Sequence, residues 1–154
     1  MADVNSIWNH CSNSAMRRAT RQLGQLYEEA MGDTGIKGTQ FSLLSQIAIS
    51  GEPTQKALAE AMVMDLSALG HTLKPLVRDG LVEMLPDARD GRVRRVRLTP
   101  KGAALQADLG AAWQTAQGRF DAAFGKERAA ELRRTMAFIS SPEFAEAFRR
   151  DGQA

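Results

Sequence analysis

The chain is short of the residues from which most catalytic and metal sites are built. It holds one cysteine, Cys11, and two histidines, His10 and His71, among 154 residues. An intrachain disulfide is therefore excluded, no Cys/His cluster has metal-ligand spacing, and the lone thiol suits a reducing cytoplasm. No glycine-rich phosphate loop follows a strand-like run, and the paired acids Glu28 and Glu29 are adjacent on a helix and point apart. Neither a catalytic residue nor a metal nor a cofactor is expected, and the chain does not read as an enzyme. It also lacks a signal-peptide pattern and any apolar run of about 18 residues, so the expected protein is soluble and cytoplasmic, with no membrane partner. Aromatic residues make up only 6%. That scarcity, beside abundant alanine, favours helix over sheet.

What is present is enough for one core. A hydrophobic share of 44% over this length predicts a single domain, 1–154. The net charge of +2 is too small to imply a partner, but its distribution is uneven. From Arg89 to Lys101 the chain carries Arg89, Arg92, Arg94, Arg95, Arg97 and Lys101 against the single acid Asp90. A local excess of cations of this kind is the footprint of a phosphate-binding surface.

The stretch from Thr54 to Lys101 has an order that fits such a surface. Thr54 can cap a short helix whose Leu58, Ala61 and Met62 recur at buried-face spacing. Asp65 can cap a second helix running to about Asp79 and ending at Gly80, with Leu69, Leu73, Leu76 and Val77 inward. Leu66, Ser67, Gly70, His71 and Lys74 then face out. This is the pattern of a helix-turn-helix. After Gly80 the period drops to two, with strand-like runs at Leu81–Leu85 and Val93–Leu98 around the polar tip Pro86–Arg92. Upstream, Thr39 starts a helix with Phe41, Leu44, Ile47 and Ala48 inward, and Gly51-Glu52-Pro53 stops it.

Long amphipathic helices flank this region. The first is expected from Ser6 to Met31, with Cys11, Ala15, Ala19, Leu23 and Tyr27 four apart. Thr99-Pro100 starts another, with Leu105, Leu109, Trp113, Ala116 and Phe120 along one side and a stop at Gly125. Helices from Lys126 to Ile139 and from Ser141 onward follow. One small winged core cannot cover all of these apolar sides, so a second subunit is the economical partner.

The pieces Asp65-Leu66-Ser67, Lys74-Pro75-Leu76, Asp79-Gly80-Leu81-Val82, Asp90-Gly91-Arg92 and Leu98-Thr99-Pro100-Lys101-Gly102, with Gly35 to Phe41 upstream, resemble the winged helix-turn-helix of the MarR family of bacterial transcriptional regulators. Singly these pieces are weak signals, and together in order they are strong. The resemblance implies a mainly α fold with a small β-hairpin wing, in which 33–99 form the DNA-binding part and 5–32 with 100–150 form a helical dimerisation part. It implies a homodimer that binds a pseudo-palindromic double-stranded operator, and a ligand-responsive repressor. At the wing tip it implies that Arg92 enters the minor groove and Asp90 orients it.

The expected DNA-binding residues are thus Thr54, Leu66, Ser67, Gly70, His71, Lys74, Arg89, Asp90, Arg92 and Arg94, each weighed against an ordinary solvated position. Arg95 and Arg97 fit plain strand positions. His71 stands where many family members carry arginine, and imidazole cannot make the two-pronged guanine contact. Pro75 lies inside the second helix, where a bend is expected. Trp8, His10, Cys11, Phe41 and Trp113 are candidates for a pocket that takes a small apolar or aromatic effector, and all of them equally fit a core. In one subgroup of the family a first-helix cysteine senses hydroperoxides with nearby tyrosines, whereas Tyr27, the only tyrosine here, is more than four turns from Cys11. A redox-sensing regulator and a winged-helix module that binds protein remain the alternatives.

Overall fold

Three short helices and a hairpin close around one leucine-rich core. The computed structural model describes residues 4–151, so 1–3 and 152–154 lie outside it, as do the side chains of Ser6, Ile7 and Asp151. In chain order the elements are α1 (Val4–His10), α2 (Ser12–Met31), α3 (Gly38–Ser50), α4 (Gln55–Ala61), α5 (Leu66–Arg78), β1 (Val82–Pro86), β2 (Arg94–Leu98), α6 (Pro100–Phe124), α7 (Lys126–Ile139) and α8 (Pro142–Asp151). The fold is mainly α with one antiparallel hairpin, in the register Val82 opposite Leu98 through Pro86 opposite Arg94.

The core draws Leu43, Leu44 and Ile47 from α3, Leu58 and Ala59 from α4, Leu69, Leu73 and Leu76 from α5, and Leu81, Val82 and Val96 from the hairpin. Side-chain caps set the helix starts. Thr54 Oγ1 accepts from Ala57 N at 3.1 Å, Asp65 Oδ1 from Ala68 N at 2.7 Å, and Thr99 Oγ1 from Gly102 N at 3.0 Å. Gly80, at φ +69°, turns α5 into β1 through the left-handed region where a side chain is strained. Helix α6 then starts against the same turn. A Cβ on Gly102 would sit 1.9 Å from the Leu81 carbonyl oxygen, so only glycine allows this approach.

Several expected positions shift. The single first helix over Ser6–Met31 is two helices, because Cys11 adopts an extended conformation (φ −79°, ψ 101°) and caps α2, its Sγ accepting from Ser14 N at 3.4 Å. The surrounding Asn9, Ser12, Asn13 and Ser14 are residues that favour caps over helix interiors. Cys11 is accordingly a half-buried cap and not a member of a continuous apolar stripe. On α3 Leu43 is buried and Ala48 is exposed, since α3 is covered by neighbours on more than one side. On α4 Ala59 replaces Ala61 inside. Val77 is 39% exposed. At 3.6 residues per turn it lies about 80° round α5 from Leu69, at the edge of the packed face.

The flanking helices are covered differently. Helix α2 packs along α6, and α6 against α7. Even so, α2 has no buried residue, α7 has only Ala129, and Phe138, Leu26 and Phe148 are 51%, 47% and 74% exposed. No helix among the described residues is long and apolar enough to cross a membrane.

Candidate nucleic-acid interface

Helix α5 is held by its buried side and offers the other. With Leu69, Leu73 and Leu76 inward, Ser67, His71 and Lys74 are exposed and Leu66 is 58% exposed. Gly70 is half-buried, and a Cβ there would meet nothing within 4 Å, so this face has room for a partner surface. The helix runs through Pro75 without interruption. Proline has no N–H, so the carbonyl of His71 lacks its usual helical donor. The outward surface therefore carries a hydroxyl, an imidazole and an ammonium group, and Lys74 forms no ion pair among the described residues. These are the donors and acceptors that a major groove accepts.

The wing tip is built on two aspartates. Asp87 accepts from Arg89 N at 2.8 Å, from Asp90 N at 3.1 Å and from Arg95 Nε at 2.5 Å. The Arg89 backbone N–H, then the Arg95 guanidinium, lower its carboxyl to about 2. Asp90 accepts from Arg92 N at 3.0 Å and from the Arg92 guanidinium at 3.1 and 3.2 Å. That guanidinium holds the Asp90 carboxyl below the usual range. The Arg92 side chain is nonetheless 92% exposed, so it is oriented without being covered. Arg89 and Arg94 are exposed and make no ion pair among the described residues.

The remaining cations bond to the fold, so Arg95 and Arg97 are more than plain strand positions, although Arg97 stays exposed. Arg95 Nη1 donates to the Glu52 carbonyl at 2.6 Å, and Arg97 bonds Glu83 at 2.9 Å and the Glu52 carboxylate at 3.0 Å. Lys101 Nζ donates to the Asp79 carbonyl at 2.9 Å. Thr54, half-buried, spends its hydroxyl on the α4 cap and its backbone on a bridge to Arg95. The cation-rich run thus separates into an outward set, Arg89, Arg92 and Arg94, and a structural set, Arg95, Arg97 and Lys101. The alternation of a strand was the available signal, because Arg95 and Arg97 share the parity of the Glu83 register partner.

A cavity of about 1750 Å³ opens between α2, α3, α6 and α7. Phe41 and Trp113 line it, together with Tyr27, Met31, Ile36 and Met136. Trp8, His10 and Cys11 do not. The cavity lining on α2 begins at Thr20, and Trp8 is 57% exposed with the Arg18 guanidinium 4.3 Å above its ring. Polar groups cross the cavity wall. Tyr27 Oη donates to Gln117 Oε1 at 2.9 Å, Gln117 Nε2 donates to Asp121 at 2.9 Å, and Arg133 reaches Asp121 at 3.4 Å. Burial, then the Asp121 charge, raises the Tyr27 hydroxyl. The floor includes Met62 and Met64 from the turn before α5 and Thr72 from α5 itself.

A sequence profile described as the MarR family matches residues 34–93, from the loop before α3 through the wing tip. The transcriptional regulator MosR of M. tuberculosis, solved in complex with DNA, shares 34% identity with a TM-score of 0.79, over 91% of this chain and 99% of MosR. This chain belongs to the MarR family. The multiple antibiotic resistance protein MarR of Salmonella typhimurium is 36% identical over 81 residues, which are 53% of this chain and 56% of that protein. The match therefore spans little more than half the length of that curated relative. A mutant MarR from E. coli complexed with operator DNA, at 24% identity and a TM-score of 0.78, shares the winged-helix fold. The relatives of this MarR-family chain are transcriptional regulators and not enzymes.

Proposed function

We propose that this MarR-family chain is a cytoplasmic, sequence-specific DNA-binding transcriptional repressor. It acts as a homodimer on a pseudo-palindromic duplex and releases it when a small apolar or aromatic effector occupies the cavity. The observation that carries this reading is the separation of cations within the run from Arg89 to Lys101, since Arg89, Arg92 and Arg94 are left outward beside an exposed polar α5 while Arg95, Arg97 and Lys101 are used within the fold. MosR and E. coli MarR, both captured on DNA, support it.

In this reading Ser67, His71 and Lys74 enter the major groove, with His71 making a single-pronged contact in place of a two-pronged one. Arg92, already aimed by Asp90, takes the minor groove, and Arg89 and Arg94 meet phosphates. The uncovered sides of α2, α6, α7 and α8 pair with those of a second copy. The effector acts through Met62, Met64 and Thr72, because a molecule on that floor shifts α5 if it distinguishes two arrangements. The test is selection of duplexes from a random library, followed by fluorescence anisotropy with competitor DNA. Recovery of a two-fold symmetric sequence bound far more tightly than competitor is expected, and equal binding of all duplexes would overturn the reading.

A further inference from the structure

The hairpin has two strands of five residues, too little to hold a fixed direction by itself. At its outer edge β2 hydrogen-bonds the segment that leads into α4, through the bond from Val96 N to Pro53 O at 2.9 Å and the Thr54–Arg95 bridge. Side chains extend that joint in both directions. Arg97 links the Glu52 carboxylate to Glu83 on β1. Arg95 links the Glu52 carbonyl to Asp87, whose other lone pairs hold the backbone of Arg89 and Asp90. Hydrogen bonds therefore run without a gap from the start of α4, across the base of the hairpin, to the tip that carries Arg92.

We propose that Glu52, Arg97, Arg95 and Asp87 form a clasp of positioning residues that sets the wing's direction relative to α4 and α5, and so the register between Arg92 and the recognition helix on DNA. The proposal rests on the reading of the wing as a DNA contact. Arg97 and Glu52 are 44% and 46% exposed, and an ion pair this exposed adds little stability. Their value lies in direction. Glu52 makes the case sharpest, because a carboxylate near a phosphate-binding surface repels DNA, so its removal by charge alone raises affinity for every duplex. A positioning role has the opposite sign for the specific duplex.

The test is a charge-matched pair, Glu52→Ala and Glu52→Gln, read on a duplex selected by the native chain and on unrelated competitor DNA, with thermal melting of each variant. Both variants lose the same charge, and only glutamine keeps an oxygen for Arg97. The alanine variant is expected to lose roughly tenfold in affinity for the selected duplex, with the glutamine variant recovering most of it. Competitor affinity should be equal in the two variants and no weaker than in the native chain. The salt dependence should be unchanged, since no phosphate contact is removed. Equal affinities of the two variants for the selected duplex would overturn the clasp, as would a loss shared equally by competitor DNA. Arg92→Ala serves as the reference. If it leaves binding intact, the wing is not a DNA contact and the underlying reading falls; if it weakens binding while alanine and glutamine at 52 behave alike, only the clasp falls.

Discussion

Helices α5 and α2 are both apolar along one side, yet only α5 has that side fully buried, since α2 is half-covered by α6. Leu69, Leu73 and Leu76 are buried by α3, α4 and the hairpin, whereas the 20 residues of α2 include none that is buried. The difference separates a part of the molecule that completes its own core from a part whose apolar side this chain leaves largely uncovered. It also places the exposed polar groups. A helix fixed by one buried side can hold Ser67, His71 and Lys74 at defined angles.

The largest expected effect breaks the covered side. Leu69→Ala should cost about 2–5 kcal/mol in urea unfolding, through lost burial and the cavity left behind. The uncovered side should respond in the opposite way. Phe148 is 74% exposed and lies tilted against Phe144 of the same helix, with ring centroids 6.2 Å apart. Phe148→Asp should change the stability of one subunit by no more than about 0.5 kcal/mol, as at ordinary surface sites. If α8 belongs to the subunit interface, the same change should weaken self-association at least about tenfold in sedimentation. Loss of fold without loss of association would reverse the comparison.

The polar surface of the covered part gives the next effects. Arg92→Ala should weaken binding to a selected duplex by roughly 1–3 kcal/mol. Lys74→Ala should weaken specific and competitor duplexes alike and lower the salt slope by about one. A still smaller effect is local to the wing tip. Asp87 is lowered from 3.8 to about 2 in the folded chain. A depressed carboxyl contributes stability that is present above the unfolded value and lost as pH falls through the folded one. The amide resonances of Arg89 and Asp90 should therefore hold from neutral pH to below 4 and shift with a midpoint near 2. A midpoint near 3.8 would mean that the tip is not organised by Asp87, and Asp87→Asn should abolish the transition.

Much of this division is legible in the sequence because its signals are local. Thr54, Asp65 and Thr99 announce helix starts by side chains that reach three residues on, and Gly80 announces the turn into the hairpin. What is not legible depends on distant partners. Arg95 and Arg97 look free along the chain because Glu52 lies more than 40 residues upstream. The break at Cys11 is hidden because apolar residues keep their four-residue spacing across it, and cap-forming neighbours decide the backbone instead. The cavity wall is equally a matter of distant packing, since its α2 residues begin at Thr20, well beyond Trp8, while Phe41 and Trp113 reach it from α3 and α6.

The central claim is that two copies of this chain present two α5 helices and two wings to one duplex. Hydroxyl-radical footprinting on a selected duplex, with the protein-to-DNA stoichiometry measured in parallel, tests it most directly. The account predicts two chains per duplex, with two symmetric protected blocks about one helical turn, roughly 10 base pairs, apart. A single protected block with one chain per duplex would contradict it.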